Sequence, residues 1–282
     1  YFKSLPLINL FMDTKLPIAI FFVLSGVVLS HSVRNIKKNT RWLIFALVSR
    51  YIRLLIPIFT ITLMVVALYF NGFILVDQLP NSYNEWSGYK IFYQFPISWM
   101  SSLQFSTFDV FFNYSADRTY IPPSWTMRPE LFASTLLFIF LFGISLLRLE
   151  RTPVLLFVPV ALVLFFTKQW IPGVYYFGYF LMGYVIYKVY MAKGFQPKFR
   201  LPLLFILLAI KTILFYLEIK GLFIDFVFAS ALVTVILFSV QASALLSNQF
   251  FTWLGKISFP LYLVHVPVFS SLGMFNFIWL DE

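Results

Sequence analysis

Cysteine is missing from the chain, which excludes disulfides and thiolate-held metals and says nothing about compartment. Histidine occurs only twice and acidic residues number 11, too few for a His-rich metal centre. Charge of either sign is scarce, at 11% of residues against roughly 25% in soluble domains. No low-complexity tract and no repeat is visible, so solenoid and fibrous architectures are set aside. The opening YFKSLPLINLFMDTK lacks the apolar core and small-residue cleavage site of a signal peptide.

What the chain does have is apolar surface. It is 61% hydrophobic, and phenylalanine alone supplies 37 of 282 residues. A water-soluble fold of this size has no interior large enough to hide that much of it. The reading is therefore an all-α, polytopic transmembrane bundle, with residues 1–282 forming a single integral-membrane domain. Helices are expected because the apolar runs are continuous, without the alternation of barrel strands. A net charge of +10 would suggest nucleic acid in a soluble protein. Here it is assigned to the cytoplasmic membrane face, and no nucleic-acid partner is expected.

Breaks in the pattern mark about eight spans, near 16–33, 54–76, 130–147, 153–167, 172–187, 201–217, 222–246 and 257–280. Alternate connections collect the basic residues: Arg34, Lys37, Lys38, Arg41, Arg50 and Arg53, then Arg148 and Arg151, then Lys188, Lys193, Lys198 and Arg200, then Lys256. The positive-inside rule puts 34–53 in the cytoplasm and both visible ends outside. A further span upstream would account for the outer N-terminus. The long connection 77–129 carries Tyr83, Trp86, Tyr89, Phe92, Tyr93, Phe95 and Trp99. It reads either as a loop in the interfacial aromatic belt or as a partly re-entrant lid over a cavity.

Four local patterns stand out, and each has a plain structural reading. Phe22, Ser25 and Gly26 in FFVLSG offer a small helix face for close packing. Arg50 and Arg53 in SRYIRLLIPIF share a helix face and could converge on one anion, or merely snorkel at a membrane edge. In PPSWTMRPE, Pro at the first turn and Glu130 near a helix N-terminus are good capping chemistry. Trp125, Arg128 and Glu130 also stand at a membrane edge, where ionisable groups suggest function. His265 in LGKISFPLYLVHVPV lies inside an apolar segment, as a hydrogen-bonded neutral ring or a functional group.

In this order, FFVLSG, RYIRLLIP, PPSWTMRPE and LGKISFPLYLVHVPV resemble the acyltransferase-3 family over nearly the whole chain. The resemblance implies a ten-span domain of which this chain carries the second to ninth spans. It also implies a first span upstream of Tyr1, bearing an Arg and a His taken as catalytic, and one more span after the last. His31 does not replace that His, since it follows FFVLSG near the cytoplasmic end of its span. The implied reaction moves an acyl group, often acetyl, from cytoplasmic acetyl-CoA or another acyl-CoA to a hydroxyl of an envelope glycan or exported lipid. No permanently bound cofactor and no metal is implied; the partners are acyl-CoA, the acceptor and membrane lipid.

Under that resemblance Arg50 and Arg53 grip the CoA phosphates, to which planar guanidinium forks are suited. Glu130 and Trp125 position the acceptor from the outer side, and His265 is the third catalytic candidate. Three rival readings stay open. A flippase for a lipid-linked sugar would show helix breaks at matching places in two repeated halves. An unrelated membrane-bound O-acyltransferase would pair an intramembrane His with an Asn. A degenerate homologue would have lost catalysis.

Overall fold

Lipid leaves a continuous apolar chain few ways to satisfy its backbone, and the helix satisfies it locally. The computed structural model is accordingly helical, with no strand among the described residues. The structure describes residues 15–34, 39–74, 92–149, 156–166, 172–192, 201–217, 219 and 221–274. Lys37, Lys38, Arg151, Lys193, Lys198 and Arg200 of the charge pattern lie outside them, as do Tyr83, Trp86 and Tyr89.

The chain divides into two compact units, residues 1–46 with 132–252, and residues 47–131 with 253–282. Its helices in order are α1 Lys15–Ser32, α2 Thr40–Phe70, α3 Trp99–Gln104, α4 Met127–Leu146, α5 Phe157–Phe166 and α6 Pro172–Met191. Then follow α7 Leu201–Tyr216, α8 Leu222–Phe238, α9 Val240–Leu246 and α10 Gln249–Val268. Among the described residues, α1, α2 and the continuous helical stretch Pro122–Leu146 are long and apolar enough to cross a membrane. The pair α8 and α9, bent by 90°, would make a fourth. The expected count of eight is thus met only in part. Helix α5 has 10 residues and spans about 15 Å, half the hydrocarbon core.

In the first unit α1 packs against both α6 and α8. Its crossing with α6 explains the small face of FFVLSG. A Cβ on Gly26 would strike the Phe180 backbone, lying 2.8 Å from Phe180 Cα, and a Cβ on Gly183 would lie 2.8 Å from Gly26 Cα. Two glycines therefore let two backbones touch. Phe22, fully buried, packs its ring edge-on to Tyr176 at 5.2 Å, and Ser25 is half-buried. The Ser30 hydroxyl donates to Gly26 O at 2.7 Å, satisfying itself within the helix. Lys211 of α7 and Asp225 of α8 form a salt bridge in which both side chains are 4% exposed.

The second unit is built on the C-terminal part of α2. Leu54, Ile58, Ile61 and Val65 line one side of that helix and bury against Tyr93, Phe105, Phe111 and Ile121. The 92–131 stretch is thus no plain loop. It contains α3, a π-helical turn Phe105–Asp109, a last α turn Val110–Phe112 and a 3₁₀ segment Pro122–Thr126. It packs against the apolar side of α2. Helix α3 starts at a capping box, Ser98 and Ser101 exchanging side-chain bonds with each other's backbone N–H at 3.1 Å.

Two segment boundaries differ from expectation. Span two begins at Thr40 rather than 54, because Trp42 to Val48 are apolar and no Pro or Gly breaks them before Arg50. Asn39 caps this helix, accepting from Trp42 N at 2.8 Å. Most of the expected cytoplasmic loop 34–53 is therefore helix. The far end stops earlier than 76, where Gly72 adopts φ +74° and Phe73 N donates back to Leu68 O at 2.9 Å.

Candidate active site

Arg50 lies ten residues into α2, about 15 Å along its axis, and is only partly accessible. Its guanidinium donates to Glu130 Oε1 across 80 residues of sequence, with side-chain exposures of 11% and 2%. Glu130 stands in the first turn of α4, directly after the 3₁₀ segment Pro122–Thr126. This pairing corrects the assignment of the two residues to opposite membrane faces. They occupy one depth, because the 92–126 stretch folds back along α2 and delivers the head of α4 beside Arg50.

The next residue, Tyr51, strengthens the same junction. Its hydroxyl donates to Thr107 O in the π-helical turn, and its ring tilts against Phe111 at 5.2 Å. A π turn leaves carbonyls offset from the regular ladder, which makes Thr107 O available to a side-chain donor. Arg53, on the same face of α2 one turn further on, is exposed.

Helix α10 supports the segment leading to Glu130. The Tyr262 hydroxyl donates to Pro123 O at 2.8 Å, and the Thr126 hydroxyl is 3.3 Å from Tyr262 Oη. Tyr114 donates to Pro122 O at 3.1 Å, and Tyr93 to Tyr120 O at 3.3 Å. Burial pushes the Tyr114 and Tyr93 hydroxyls above the ordinary tyrosine value, so both remain protonated donors at neutral pH. The Ser124 hydroxyl is buried with no hydrogen bond to the protein. These tyrosines hold the 3₁₀ segment by its own carbonyls, since Pro122 and Pro123 have no N–H to offer.

The remaining sequence candidates are placed differently. Trp125 is 38% exposed and Arg128 is exposed. His265 is exposed too, and its Nδ1 lies 2.6 Å from Tyr262 O on its own helix, with the Tyr262 ring 6.0 Å away. Its described contacts do not reach Arg50 or Glu130. Among the described residues, no cluster of three or more His, Asp or Glu side chains is able to hold a metal ion.

Sequence reasoning found Arg50 and Glu130 separately and missed that they meet. It also missed Tyr51, Ser124 and Tyr262. Tyr51 carried a usable signal, since it sits between the two arginines; Tyr262 carried none, because its partner carbonyl lies 139 residues away.

Comparison with known proteins adds one finding. A family model described as an acyltransferase domain, that of the acyltransferase-3 family, matches residues 18–281. No curated protein and no solved structure matches the chain.

Proposed function

As the chain belongs to the acyltransferase-3 family and is thereby a membrane acyltransferase, we propose that it transfers an acyl group, acetyl foremost, from acyl-CoA to a glycan or lipid hydroxyl. The observation that supports this site is the buried Arg50–Glu130 pair with Arg53 exposed one turn away. Acyl transfer from a nucleotide-bearing thioester needs an anion grip and a polar group at the acceptor, and the pair joins an example of each.

The donor approaches from the cytoplasm, where Arg34 and Arg41 flank the start of α2. Its phosphates meet the Arg50 and Arg53 face, and the pantetheine arm runs inward beside the 3₁₀ segment. The acceptor enters from the other side along the 92–126 stretch, with Trp125 and His265 as its contacts. Glu130, oriented by Arg50, accepts a hydrogen bond from the acceptor and aligns it against the thioester carbonyl. Attack forms a C–O bond and a tetrahedral oxyanion; collapse breaks the C–S bond, and the acceptor's hydroxyl proton ends on the departing thiolate to give CoA thiol. The Ser124 hydroxyl is a donor suited to that oxyanion. In the membrane the chain forms eight spans.

The experiment is thiol release from acetyl-CoA by the protein in nanodiscs, with candidate glycan and lipid acceptors. Acceptor-dependent release with acetylated product is expected. Acceptor translocation without any thiol release would replace this reading with a flippase.

A further inference from the structure

The first two turns of α10, residues 249–256, are exposed at every position. Four of these side chains are large and apolar: Phe250 at 59% exposure, Trp253 at 55%, and Phe251 and Leu254 beside them. So short a helix is marginal in water without a surface to pack on. The residue pattern has two sides. Phe250, Trp253, Leu254, Ile257 and Leu261 recur at i, i+3, i+4, i+7 and i+11 and form one stripe. Gln249, Thr252 and Lys256 recur at i, i+3 and i+7 and form another. A helix wholly surrounded by acyl chains is apolar all round, and this head is not.

Its depth follows from the chain before it. Helix α8 has 17 residues and spans about 25 Å, close to the thickness of a hydrocarbon core. Helix α9 leaves it at 90°, so where α8 crosses a bilayer α9 runs parallel to the surface. The corner is built in, because Ser239 is extended and its buried hydroxyl caps α9 by accepting from Ala242 N at 3.2 Å. Asn248 Oδ1 accepts from Phe250 N at 3.2 Å where α10 begins. The chain thus enters α10 at headgroup level. No acidic residue occurs in 226–280, so nothing in this stretch repels an anionic surface, and Lys256 is exposed to meet one.

We propose that the head of α10 is an interfacial helix seated on anionic phospholipid. Phe250, Trp253 and Leu254 dip into the boundary between headgroups and acyl chains, and Lys256 meets lipid phosphate on the water side. Trp suits that depth because its ring is apolar with one N–H to offer. The Lys stem covers apolar surface while its ammonium reaches the phosphates. This lipid contact surface lies outside the acyl-transfer site and does not depend on the acyl-CoA reading.

The chain has no cysteine, so single spin labels can be attached without background. The test places nitroxides by Phe250→Cys, Thr252→Cys, Trp253→Cys, Leu254→Cys and Lys256→Cys in the protein in nanodiscs. Each is read for collision with oxygen, which concentrates in lipid, and with a water-soluble nickel chelate. Labels at 250, 253 and 254 are expected to favour oxygen severalfold over those at 252 and 256, which favour nickel. Should one variant fail to accumulate, its neighbours on the same stripe carry the contrast. In a second arm, Lys256→Gln is added to the Leu254→Cys label. Nickel access there should rise up to about fivefold in discs containing phosphatidylglycerol, the weight of one cation at an anionic surface, and stay unchanged in phosphatidylcholine alone. Oxygen preference at all five positions would make the head part of a span, and nickel preference at all five would leave it in water. Exclusion of both probes would put a second copy or another protein on it. Each of these three results would overturn the interfacial assignment. Equal nickel access with Lys256 and with Lys256→Gln in both lipids would overturn the contact with anionic phosphate.

Discussion

The ion pair between Lys211 and Asp225 is buried among apolar helices, each side chain 4% exposed, and it offers a sharp test of how this bundle is held together. Lys211 sits well inside the 16-residue α7, and Asp225 in the first turn of α8. Removing one partner, as in Lys211→Leu or Asp225→Leu, leaves an uncompensated ion in a position from which it cannot reach water without unpacking. Loss of one partner from a buried pair costs about 3–5 kcal/mol. Insertion scales for a lone Asp or Lys at a helix centre give about 2.5–3.5 kcal/mol, a similar figure from an independent source. Asp225 also lies where the α8 dipole favours an anion, worth about 0.3–1 kcal/mol, so Lys211→Leu should be the milder of the two. The double variant Lys211→Leu/Asp225→Leu removes both desolvation costs together and should recover most of the loss. The assay is thermal unfolding in nanodiscs, where each single variant should melt roughly 5–8 °C below wild type. A double variant as unstable as the sum of the singles would refute the reasoning. It would mean that the two ions do not offset one another.

Three further outcomes follow from the packing. Gly26→Ala and Gly183→Ala each place a methyl against backbone that has no rotamer to yield, so each should cost about 1–3 kcal/mol; wild-type melting of either would contradict the close α1–α6 crossing. Tyr262→Phe removes the hydroxyl that holds Pro123 O, and turnover should fall severalfold with acetyl-CoA KM unchanged; an altered KM and intact kcat would place Tyr262 with the donor instead. His265→Gln keeps a polar side chain on an exposed position, so stability should stay within about 0.5 kcal/mol of wild type. Its acceptor KM should rise, and a melting point lowered by several degrees would make His265 a packing residue.

Much of the local structure was legible from residue type alone. Continuous apolar runs with almost no charge can only be helices in lipid, and the helices are there. FFVLSG announced a small face because Gly26 has no side chain, and RYIR put its two arginines on one face because a helix turn has 3.6 residues. Glu130 read correctly as a residue of a helix first turn, a short-range property of the prolines and the acid around it. The start of α2 was written in Asn39 and the uninterrupted apolar residues after it, although the charges at Arg50 and Arg53 drew the boundary too late.

What tertiary structure alone decided is which distant residues meet. Gly26 needed Gly183, Lys211 needed Asp225 and Arg50 needed Glu130, and no local pattern names the partner. Charge counting distributes loops between two faces and so sent Arg50 and Glu130 to opposite sides. The folded chain lays residues 92–126 along the apolar side of α2 and brings the two together. The physical reason is that burying Tyr93, Phe105, Phe111 and Ile121 against Leu54, Ile58 and Val65 is a gain summed over many long-range contacts. A buried carboxylate then has one stable place, beside the guanidinium that the same packing delivers.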